Sequence, residues 1–311
     1  MPTDVSIVVV NWNSGHLLRA CMDSIASQFA ASSISLEVVV VDNGSADQSL
    51  ELPRYPFELT VLCNERNHGF GRACNEGAAK ASGSFILFFN PDCVLGRGSL
   101  DAAIAALRQS PDIGVVGIAL SDDSGHIARS CHQFPSLRHF LGRITGLARF
   151  FPNVFESAMR NWPHDQDRDV DHVIGAFYMI RAELFRTLGG FDERFFVYLE
   201  DLDLSLRVRR AGYRVRFIAQ PSSYHKGGGT SEKAKAARLF YATRSRILYA
   251  FKHFSPGAAW GHLVATLIIE PVCRIVELTI RWRVAEIDEV AQGFSMLLRD
   301  LPSTLRNERR R

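Results

Sequence analysis

This 311-residue sequence shows no closely spaced cysteine pair, no positively charged segment ahead of its first apolar run and no apolar run long enough to span a membrane without interruption. The six cysteines show no C-x-x-C spacing, which argues against a zinc knuckle or a redox motif and favours a reducing compartment. No positively charged segment precedes the apolar residues 5–10, so we expect no secretory signal and a cytoplasmic protein. Charged residues and a proline interrupt the most apolar stretch, residues 257–280, so we expect no membrane crossing.

The composition also excludes several classes of protein. With 47% hydrophobic and 22% charged residues, 23 Gly and 12 Pro, the chain is neither disordered nor collagen-like nor a coiled coil. Residues 1–230 hold 22 Lys and Arg against 25 Asp and Glu, whereas residues 231–311 hold 14 against 8. The basic character therefore belongs to the C-terminal part, and because its charges form no recognised module, no nucleic-acid partner is expected.

Short β-branched runs alternate with helical periodicity through residues 5–89. Residues 5–10 and 36–41 are nearly continuous in apolar side chains, as in parallel strands buried on both faces. Apolar residues recur at helical spacing over 17–29, and further strands at 59–63 and 84–89 flank a helix at 71–81. This alternation predicts an α/β fold with a mostly parallel, Rossmann-like sheet flanked by helices, and ligands bound beyond the carboxyl ends of the strands.

The later part of the chain has a weaker pattern. Residues 121–170 are rich in aromatics and His but show few periodic signals, so no structure is predicted there. A strand at 173–180, a helix from 181, a helix ending at 210 and a strand at 214–218 follow, and the pattern is helical from 234 onward. We therefore predict an α/β domain over residues 1–230 and a helical extension over residues 231–311.

Polar residues follow the first two predicted strands. The segment 42–45 (Asp-Asn-Gly-Ser) is typical of a plain strand-to-helix turn. Alternatively, the Asp42 carboxylate accepts a hydrogen bond from a nucleobase imide while Trp12, in the neighbouring loop, stacks on the base. Both interpretations remain open at this level.

A glycine-rich segment, residues 67–75, follows the third strand. Its Gly-x-Gly lacks the third glycine of a dinucleotide fingerprint, so one interpretation is an ordinary loop entering a helix. We favour a diphosphate site, because two glycines, Arg72 and the free N–H groups of a helix N-terminus attract phosphate.

Two further segments carry groups that suit a metal. Residues 90–92 (Asn-Pro-Asp) can be read in two ways: they form a simple turn, or their Asp92 carboxylate holds a divalent cation at the mouth of the sheet. His225 is either an isolated surface histidine or a second ligand beside Asp92. In the second case, the glycines that follow it would let Lys226 and Thr230 close over phosphate oxygens.

Three carboxylates, Glu200, Asp201 and Asp203, crowd into four residues after an aromatic run. Their mutual repulsion should separate their pKa values. A solvated helix start is one interpretation, since acidic residues favour helix N-termini. Because hydrophobic residues directly precede the acidic run, we favour the other interpretation, in which one carboxylate is a general base that takes a proton from an alcohol.

Taken in order, these motifs resemble glycosyltransferase family 2, and most of all its bacterial rhamnosyltransferase-like subgroup. The resemblance covers residues 4–230 and rests on Asn-Trp-Asn at 11–13, Asp-Asn-Gly-Ser at 42–45, the segment 67–75, Asn-Pro-Asp at 90–92, Gly-Gly-Phe-Asp-Glu at 189–193, Glu-Asp-x-Asp at 200–203 and His225. It implies a GT-A fold, a nucleoside-diphosphate sugar donor, a divalent cation (Mg²⁺ or Mn²⁺) and inversion at the anomeric carbon.

The resemblance also implies roles for individual residues. It places Val10, Trp12 and Asp42 at the nucleoside, Asn67, Gly69, Arg72, Asn75 and Asn90 along the rest of the donor, Asp92 and His225 at the metal, and Asp201 as the base with Glu200 and Asp203 positioning it and the acceptor hydroxyls. Asn90 stands where other members carry the first carboxylate of Asp-x-Asp, which implies weaker or partly phosphate-mediated metal binding.

The expected reaction moves rhamnose from dTDP-rhamnose to a hydroxyl of a glycan, free or carried on a polyprenyl diphosphate. A UDP-sugar donor is the first alternative. A nucleotidyltransferase would need a basic glycine-rich loop after the first strand, which residues 11–15 do not provide, and a non-catalytic nucleotide-sugar binder would not need Asp201.

The C-terminal extension combines apolar residues at helical spacing with arginines. The apolar set is Trp260, Leu263, Val264, Leu267, Ile268, Val272, Ile275 and Val276, and the basic set is Arg274, Arg281, Arg283, Arg309, Arg310 and Arg311. Either these helices complete the protein core, or they attach peripherally to the anionic cytoplasmic face of the inner membrane.

Overall fold

The computed structural model of the chain describes residues 3–227 and 235–309, which form two compact units. The sheet unit consists of residues 3–133, 158–193 and 200–227, and the helical unit of residues 134–157, 194–199 and 235–309. The helical unit thus includes part of the region for which the sequence predicted no structure. Gly228, Gly229 and Thr230 of the expected phosphate-closing loop, with Arg310 and Arg311, lie outside the described residues.

Strands and helices alternate through the sheet unit. Its strands are β1 (Val5–Asn11), β2 (Leu36–Asp42), β3 (Glu58–Cys63), β4 (Phe85–Phe89), β5 (Cys93–Val94), β6 (Ile113–Ser121), β7 (Cys131–His132), β8 (Arg168–Val170), β9 (His172–Val173), β10 (Phe177–Arg181) and β11 (Arg214–His225). The helices, in chain order and with those of the helical unit included, are α1 (His16–Ala31), α2 (Phe70–Ala78), α3 (Ser99–Gln109), α4 (Leu137–Thr145), α5 (Leu147–Phe150), α6 (Pro152–Phe155), α7 (Ala182–Thr187), α8 (Glu200–Arg210), α9 (Lys235–His253), α10 (Pro256–Val264), α11 (Glu270–Ile280) and α12 (Ile287–Arg309). A π-helical turn (Ala265–Ile269) joins α10 to α11, and a 3₁₀ turn (Val284–Glu286) precedes α12.

The main sheet has the strand order β3-β2-β1-β4-β10-β6-β11-β5, with β8 also paired to β11. Strands β1 to β4 run parallel, as do β6 and β11, whereas β10 is antiparallel to both of its neighbours. The predicted mostly parallel α/β sheet is therefore confirmed. Because β10 is reversed, its first residue, Phe177, lies opposite Phe89, the last residue of β4.

Two predicted strands have different bounds in the structure. The strand predicted at 173–180 is divided into β9 and β10, and residues 174–176 form a loop between them. The strand predicted at 214–218 continues to His225, because its polar second half pairs with β6 and with β5. Local apolar patterning could not show this extension, since the pairing partners are distant in sequence.

The strands are apolar throughout because both faces of the sheet are covered. Alternate residues of β1 enter two separate cores, with Val5, Ile7 and Val9 on one side and Val8 and Val10 on the other. Helices α1 and α3 supply one core, and α2 and α8 supply the other. Each such buried side chain contributes about 1.5–3 kcal/mol, so only the strand ends are left for polar chemistry.

The helical unit has its own apolar core, formed by Phe240, Ile247, Leu263, Val290, Phe294 and Leu297. An ion pair between Arg246 and Glu270 is buried within this unit, with Nη2 and Oε1 2.8 Å apart. Within the described ranges, every helix is too short or too polar to cross a lipid bilayer.

Candidate active site

The ends of β1 and β2 are joined by a buried polar network. Asn11 lies opposite Asp42 in the parallel register, and its Nδ2 donates to Asp42 Oδ1 at 2.7 Å and to Ser49 Oγ at 2.8 Å. The other oxygen, Asp42 Oδ2, accepts the backbone N–H of Ser45 at 3.0 Å. Asp42 is only 5% exposed, so it organises the strand ends, and a base could reach only its remaining lone pairs.

Trp12 and Val10 lie at the same end of the sheet. Val10 is a buried residue of β1, whereas Trp12, just beyond the strand, exposes 37% of its surface. An exposed indole beside a strand end is available for stacking. The sequence analysis did not identify Asn11 as a site residue, although its position before Trp12 was visible.

A second buried amide, Asn43, holds the glycine-rich segment. Its Nδ2 donates to Asn67 Oδ1 at 3.0 Å and to the Gly69 carbonyl at 3.1 Å, and its Oδ1 accepts the N–H of His68 at 3.0 Å. Gly69 has φ of 91° and directly precedes α2, a conformation that favours glycine. Asn67 and Gly69 are thus fixed at the N-terminus of α2, and Asn43 is a positioning residue that sequence reasoning missed.

Arg72 and Asn75 extend along α2. The Nε of Arg72 donates to Glu76 Oε1 at 3.1 Å, and half of the Arg72 side chain remains exposed. Asn75 has a structural partner instead: its Nδ2 donates to the Phe191 carbonyl at 2.9 Å and its Oδ1 accepts the Phe191 N–H at 2.8 Å. Asn75 therefore holds the 189–193 turn, and its expected contact with the donor stays a prediction.

The Asp92 and His225 side chains meet because β5 pairs with β11. The register places Cys93 opposite His225, and the Lys226 N–H donates to the Asp92 carbonyl at 3.1 Å. His225 Nε2 lies 3.4 Å from Asp92 Oδ1, and both side chains are mostly buried. Asn90 begins the same turn, with its N–H donating to the Ala176 carbonyl at 3.1 Å.

Cys93 is a third possible ligand at this position, since its Sγ and the ligand atoms of Asp92 and His225 all lie within 4.8 Å of one another. However, the Cys93 thiol donates to the Ala176 carbonyl, and burial raises its pKa well above the usual range. A protonated thiol is a poor metal ligand. The remaining carboxylate and imidazole suit a divalent cation such as Mn²⁺ or Mg²⁺.

Asp201 is the second residue of α8. The two residues that directly precede this helix, Tyr198 and Leu199, both have left-handed φ values. Asp201 Oδ2 accepts the Gly175 N–H at 2.7 Å, and the Asp201 side chain is 17% exposed. The next residue, Ala176, accepts hydrogen bonds from the Asn90–Cys93 turn. Two consecutive residues of the 174–176 loop thus bind the Asp201 carboxylate and the turn that carries Asp92.

The other two carboxylates of the acidic run have different environments. Burial, followed by the negative charge of Asp201, raises the pKa of Glu200 well above its usual range and so favours its protonated form. Asp203 is fully buried and accepts from Arg207 Nε at 2.9 Å. Arg207 in turn donates to the carbonyls of Leu188 and Gly190. Asp203 therefore supports the 188–190 turn through Arg207, and its expected role toward acceptor hydroxyls stays a prediction.

Comparisons with known proteins agree with this architecture. The profile of glycosyl transferase family 2 matches residues 6–189. The N-acetylglucosaminyl-diphospho-decaprenol L-rhamnosyltransferase of Mycobacterium tuberculosis is 30% identical over 266 residues, which are 80% of this chain and 84% of that protein. A rhamnosyltransferase of Escherichia coli is 28% identical over 165 residues, 51% of this chain and 61% of that protein.

Solved structures show the same fold. A mannosyltransferase from Pyrobaculum calidifontis, in complex with GDP-Man and Mn²⁺, superimposes with a TM-score of 0.57. The match covers 96% of this chain and 90% of that chain at 17% identity. At this identity the likeness concerns the fold alone.

Proposed function

Because this chain belongs to glycosyl transferase family 2 and is a glycosyltransferase with a GT-A fold, we propose that it transfers rhamnose, with inversion, from dTDP-rhamnose to a hydroxyl of a lipid-linked glycan. The mycobacterial relative is named for rhamnosyl transfer to N-acetylglucosaminyl-diphospho-decaprenol, and it aligns with most of this chain. The observation that carries the proposal is the partly exposed Asp201 carboxylate, linked through residues 175–176 to the turn that carries Asp92.

Asp201 is the general base of this reaction. It takes the proton of the acceptor hydroxyl as that oxygen bonds to the anomeric carbon, while the nucleoside diphosphate leaves from the opposite face. The N–H groups of Gly175 and Leu202 donate to its two oxygens and fix the orientation of the carboxylate. Burial favours the neutral form of Glu200, which would then add no second negative charge beside the base.

Asp92 and His225 hold a divalent cation through one carboxylate oxygen and one imidazole nitrogen. When bound, such a cation stabilises negative charge on a leaving diphosphate. Calorimetric titration with dTDP, with and without Mn²⁺, tests this assignment. We expect Mn²⁺ to strengthen binding to the parent chain but not to Asp92→Ala or His225→Ala, whereas exposed His126→Ala behaves as the parent. If the parent chain binds dTDP with the same affinity with and without Mn²⁺ or Mg²⁺, the metal assignment is wrong.

A panel of nucleotide sugars tests the donor. We expect dTDP-rhamnose to raise the unfolding temperature more than UDP-, GDP- or other dTDP-sugars, since a ligand that binds only the folded state stabilises it. The same sugars are then offered with N-acetylglucosaminyl-diphospho-lipid as acceptor. If a UDP-sugar raises the unfolding temperature more, the donor is a UDP-sugar and not dTDP-rhamnose. Stabilisation without transfer would favour a non-catalytic nucleotide-sugar binder.

A broad apolar surface of the helical unit supports peripheral attachment to the cytoplasmic face of the membrane. Its exposed side chains on α10, α11 and the adjoining turns are Trp260, Val264, Ile268, Ile269, Val272, Ile275, Val276, Ile280, Trp282 and Val284. Leu263 and Leu267 instead face the core of this unit. One face of these helices thus contributes to the core of their own unit, and the other exposes apolar side chains.

Segment 147–154 adds to this apolar surface. Leu147, Phe150, Phe151 and Val154 are exposed, and an ion pair between Arg149 and Glu277 joins α5 to α11. The arginines do not act as free charges, because Arg274, Arg281 and Arg283 pair with Glu270, Glu277 and Glu286. Attachment would therefore depend mainly on apolar burial, and we expect it to change little with salt, unlike a polybasic contact.

A further inference from the structure

A line of three buried polar side chains runs behind the Asp201 carboxylate. His172 Nε2 lies 3.7 Å from Asp201 Oδ2. On the other side of the ring, His172 Nδ1 lies 3.0 Å from Ser205 Oγ, and that hydroxyl lies 3.1 Å from the Tyr178 hydroxyl. The reaction described above makes no use of His172, Ser205 or Tyr178, and the sequence singled out none of them.

The fold positions these side chains on three elements. His172 belongs to β9, Tyr178 to β10, and Ser205 to α8, four residues after Asp201 and therefore on the same face of that helix. Ser205 and Tyr178 have no exposed surface, and His172 has almost none. Burial of such polar groups is tolerated because they satisfy one another.

The charge state of His172 follows from this environment. Burial lowers its pKa, and the negative charges of Asp201 and Asp171 only partly oppose that effect. A neutral imidazole has one N–H and one acceptor nitrogen. Tyr178 can donate to Ser205, and Ser205 to Nδ1, which leaves the His172 proton on Nε2, facing Asp201.

We propose that His172 is a positioning residue of the transfer reaction, whose Nε2–H, oriented by Ser205 and Tyr178, keeps the Asp201 carboxylate turned toward the acceptor. This inference rests on the proposed role of Asp201 as the base. In the reaction the acceptor O–H bond breaks and its proton goes to Asp201, while His172 keeps its own proton throughout. His172 is therefore a donor and not a proton shuttle.

Other ionisable groups act on Asp201's neighbours or on the buried line behind it. The charge of Asp201 acts on Glu200 and Cys74, Asp171 acts on His172, and Asp203 and Arg207 act on Tyr178. Burial favours the neutral forms of Glu200 and Cys74, and Asp203 is paired with Arg207. A change in the pH dependence on substitution of His172 alone therefore reports on the His172–Asp201 contact.

The test compares His172→Gln, which retains an N–H near the position of Nε2, with His172→Phe, which retains a ring without a donor. We expect His172→Phe to lower kcat about 10- to 100-fold, as misplacement of a catalytic group does, with little change in the KM for the donor. The acidic limb of its kcat/KM profile should also change, since the contact between the imidazole and the Asp201 carboxylate is lost. His172→Gln should recover most of both.

Tyr178→Phe provides a graded variant, because it removes only the last hydroxyl of the line. We expect a loss of about two- to tenfold in kcat, as for one neutral hydrogen bond. Unfolding temperatures of all variants are measured in parallel. If His172→Phe and His172→Gln lose activity equally, in step with their stability, His172 only packs and the proposal is wrong.

Asp201→Asn separates this inference from the proposed function. If it retains transfer, Asp201 is not the base and the role of His172 fails with it. If it is inactive while His172→Phe keeps the kcat and pH profile of the parent, the base assignment stands and the positioning role alone is overturned.

Discussion

Of the eighteen large apolar side chains that are exposed in the described residues, two lie in the sheet unit and sixteen in the helical unit. In the sheet unit, only Trp12 and Val61 are exposed in this way, and Trp12 stands beside the polar strand ends. The helical unit buries one face of α10 and α11 and exposes the other. The proposed transfer site and the proposed membrane-binding surface therefore lie in different units.

The difference has a simple physical origin. A parallel sheet covered on both faces leaves little apolar surface unburied, so polar side chains collect where the strands end. Helices packed around one core bury one stripe of each helix, and their outer faces are free to be polar or apolar. A broad apolar outer face indicates a binding surface.

The largest effect that would test this division is expected for Asp201→Asn. Transfer should fall about 10²- to 10⁴-fold, because the acceptor proton has no other base, while the affinity for dTDP and the binding to liposomes stay unchanged. Steady-state rates and calorimetry measure these quantities. Asp112→Asn, at an exposed carboxylate paired with Arg214, is the control. Retention of more than a tenth of the rate would refute the assignment.

The second effect concerns the pH dependence of stability in the helical unit. Burial, and then the charge of Arg246, lowers the pKa of His262 to about 4, while Glu270 opposes the shift. As the pH drops below 6.5, His262 therefore becomes protonated in the unfolded chain but stays neutral in the folded unit. The free energy of unfolding thus falls as the pH drops from 6.5 toward 4. The shift corresponds to about 3 kcal/mol.

Substitution of His262 checks this expectation. We expect His262→Leu to flatten the dependence of the unfolding free energy on pH between 6.5 and 4, measured by urea titration. Exposed His16→Leu, in the sheet unit, should keep the slope of the parent. An unchanged slope in His262→Leu would assign the pH dependence to other groups.

A smaller effect is expected at the apolar surface. Replacing both Ile280 and Trp282 by Ser should weaken binding to anionic liposomes about tenfold, since each exposes more than 70% of its surface and burial of such side chains is favourable. Leu298→Ser, at an exposed apolar residue of α12, is the control. Transfer to a water-soluble acceptor should not change. If parent and variants sediment equally, the surface has another occupant, such as a second copy of the chain.

The smallest effect is expected at Asn43. Removing its amide in Asn43→Ala loosens the 64–69 loop and should weaken dTDP binding about three- to tenfold, in line with about 1 kcal/mol for a lost hydrogen bond. Exposed Ser124→Ala, which also removes a side-chain hydrogen bond, should leave binding unchanged. Unchanged affinity in Asn43→Ala would separate this loop from the donor.

Local pattern was sufficient for much of the sheet unit. Residues 5–10, 36–41 and 59–63 were predicted as strands and lie in β1, β2 and β3, because a strand buried on both faces must be apolar at every position. Residues 121–170 gave no such signal, yet they contain α4, α5 and α6. These short helices depend on packing within the helical unit, since their own length gives little helical stability.

The sequence by itself determined the alternation of strands and helices, the family and the chemical types in each polar cluster, because these depend on neighbours within a few residues. Only the tertiary structure decided which clusters meet. Asp92 reaches His225 because β5 pairs with β11, and Asp201 reaches His172 because α8 packs on β9. The folded surroundings also gave the three carboxylates of the acidic run different environments, a partly exposed Asp201, a buried Glu200 with a raised pKa and an Asp203 paired with Arg207, since desolvation and nearby charge do not follow from the order of residues.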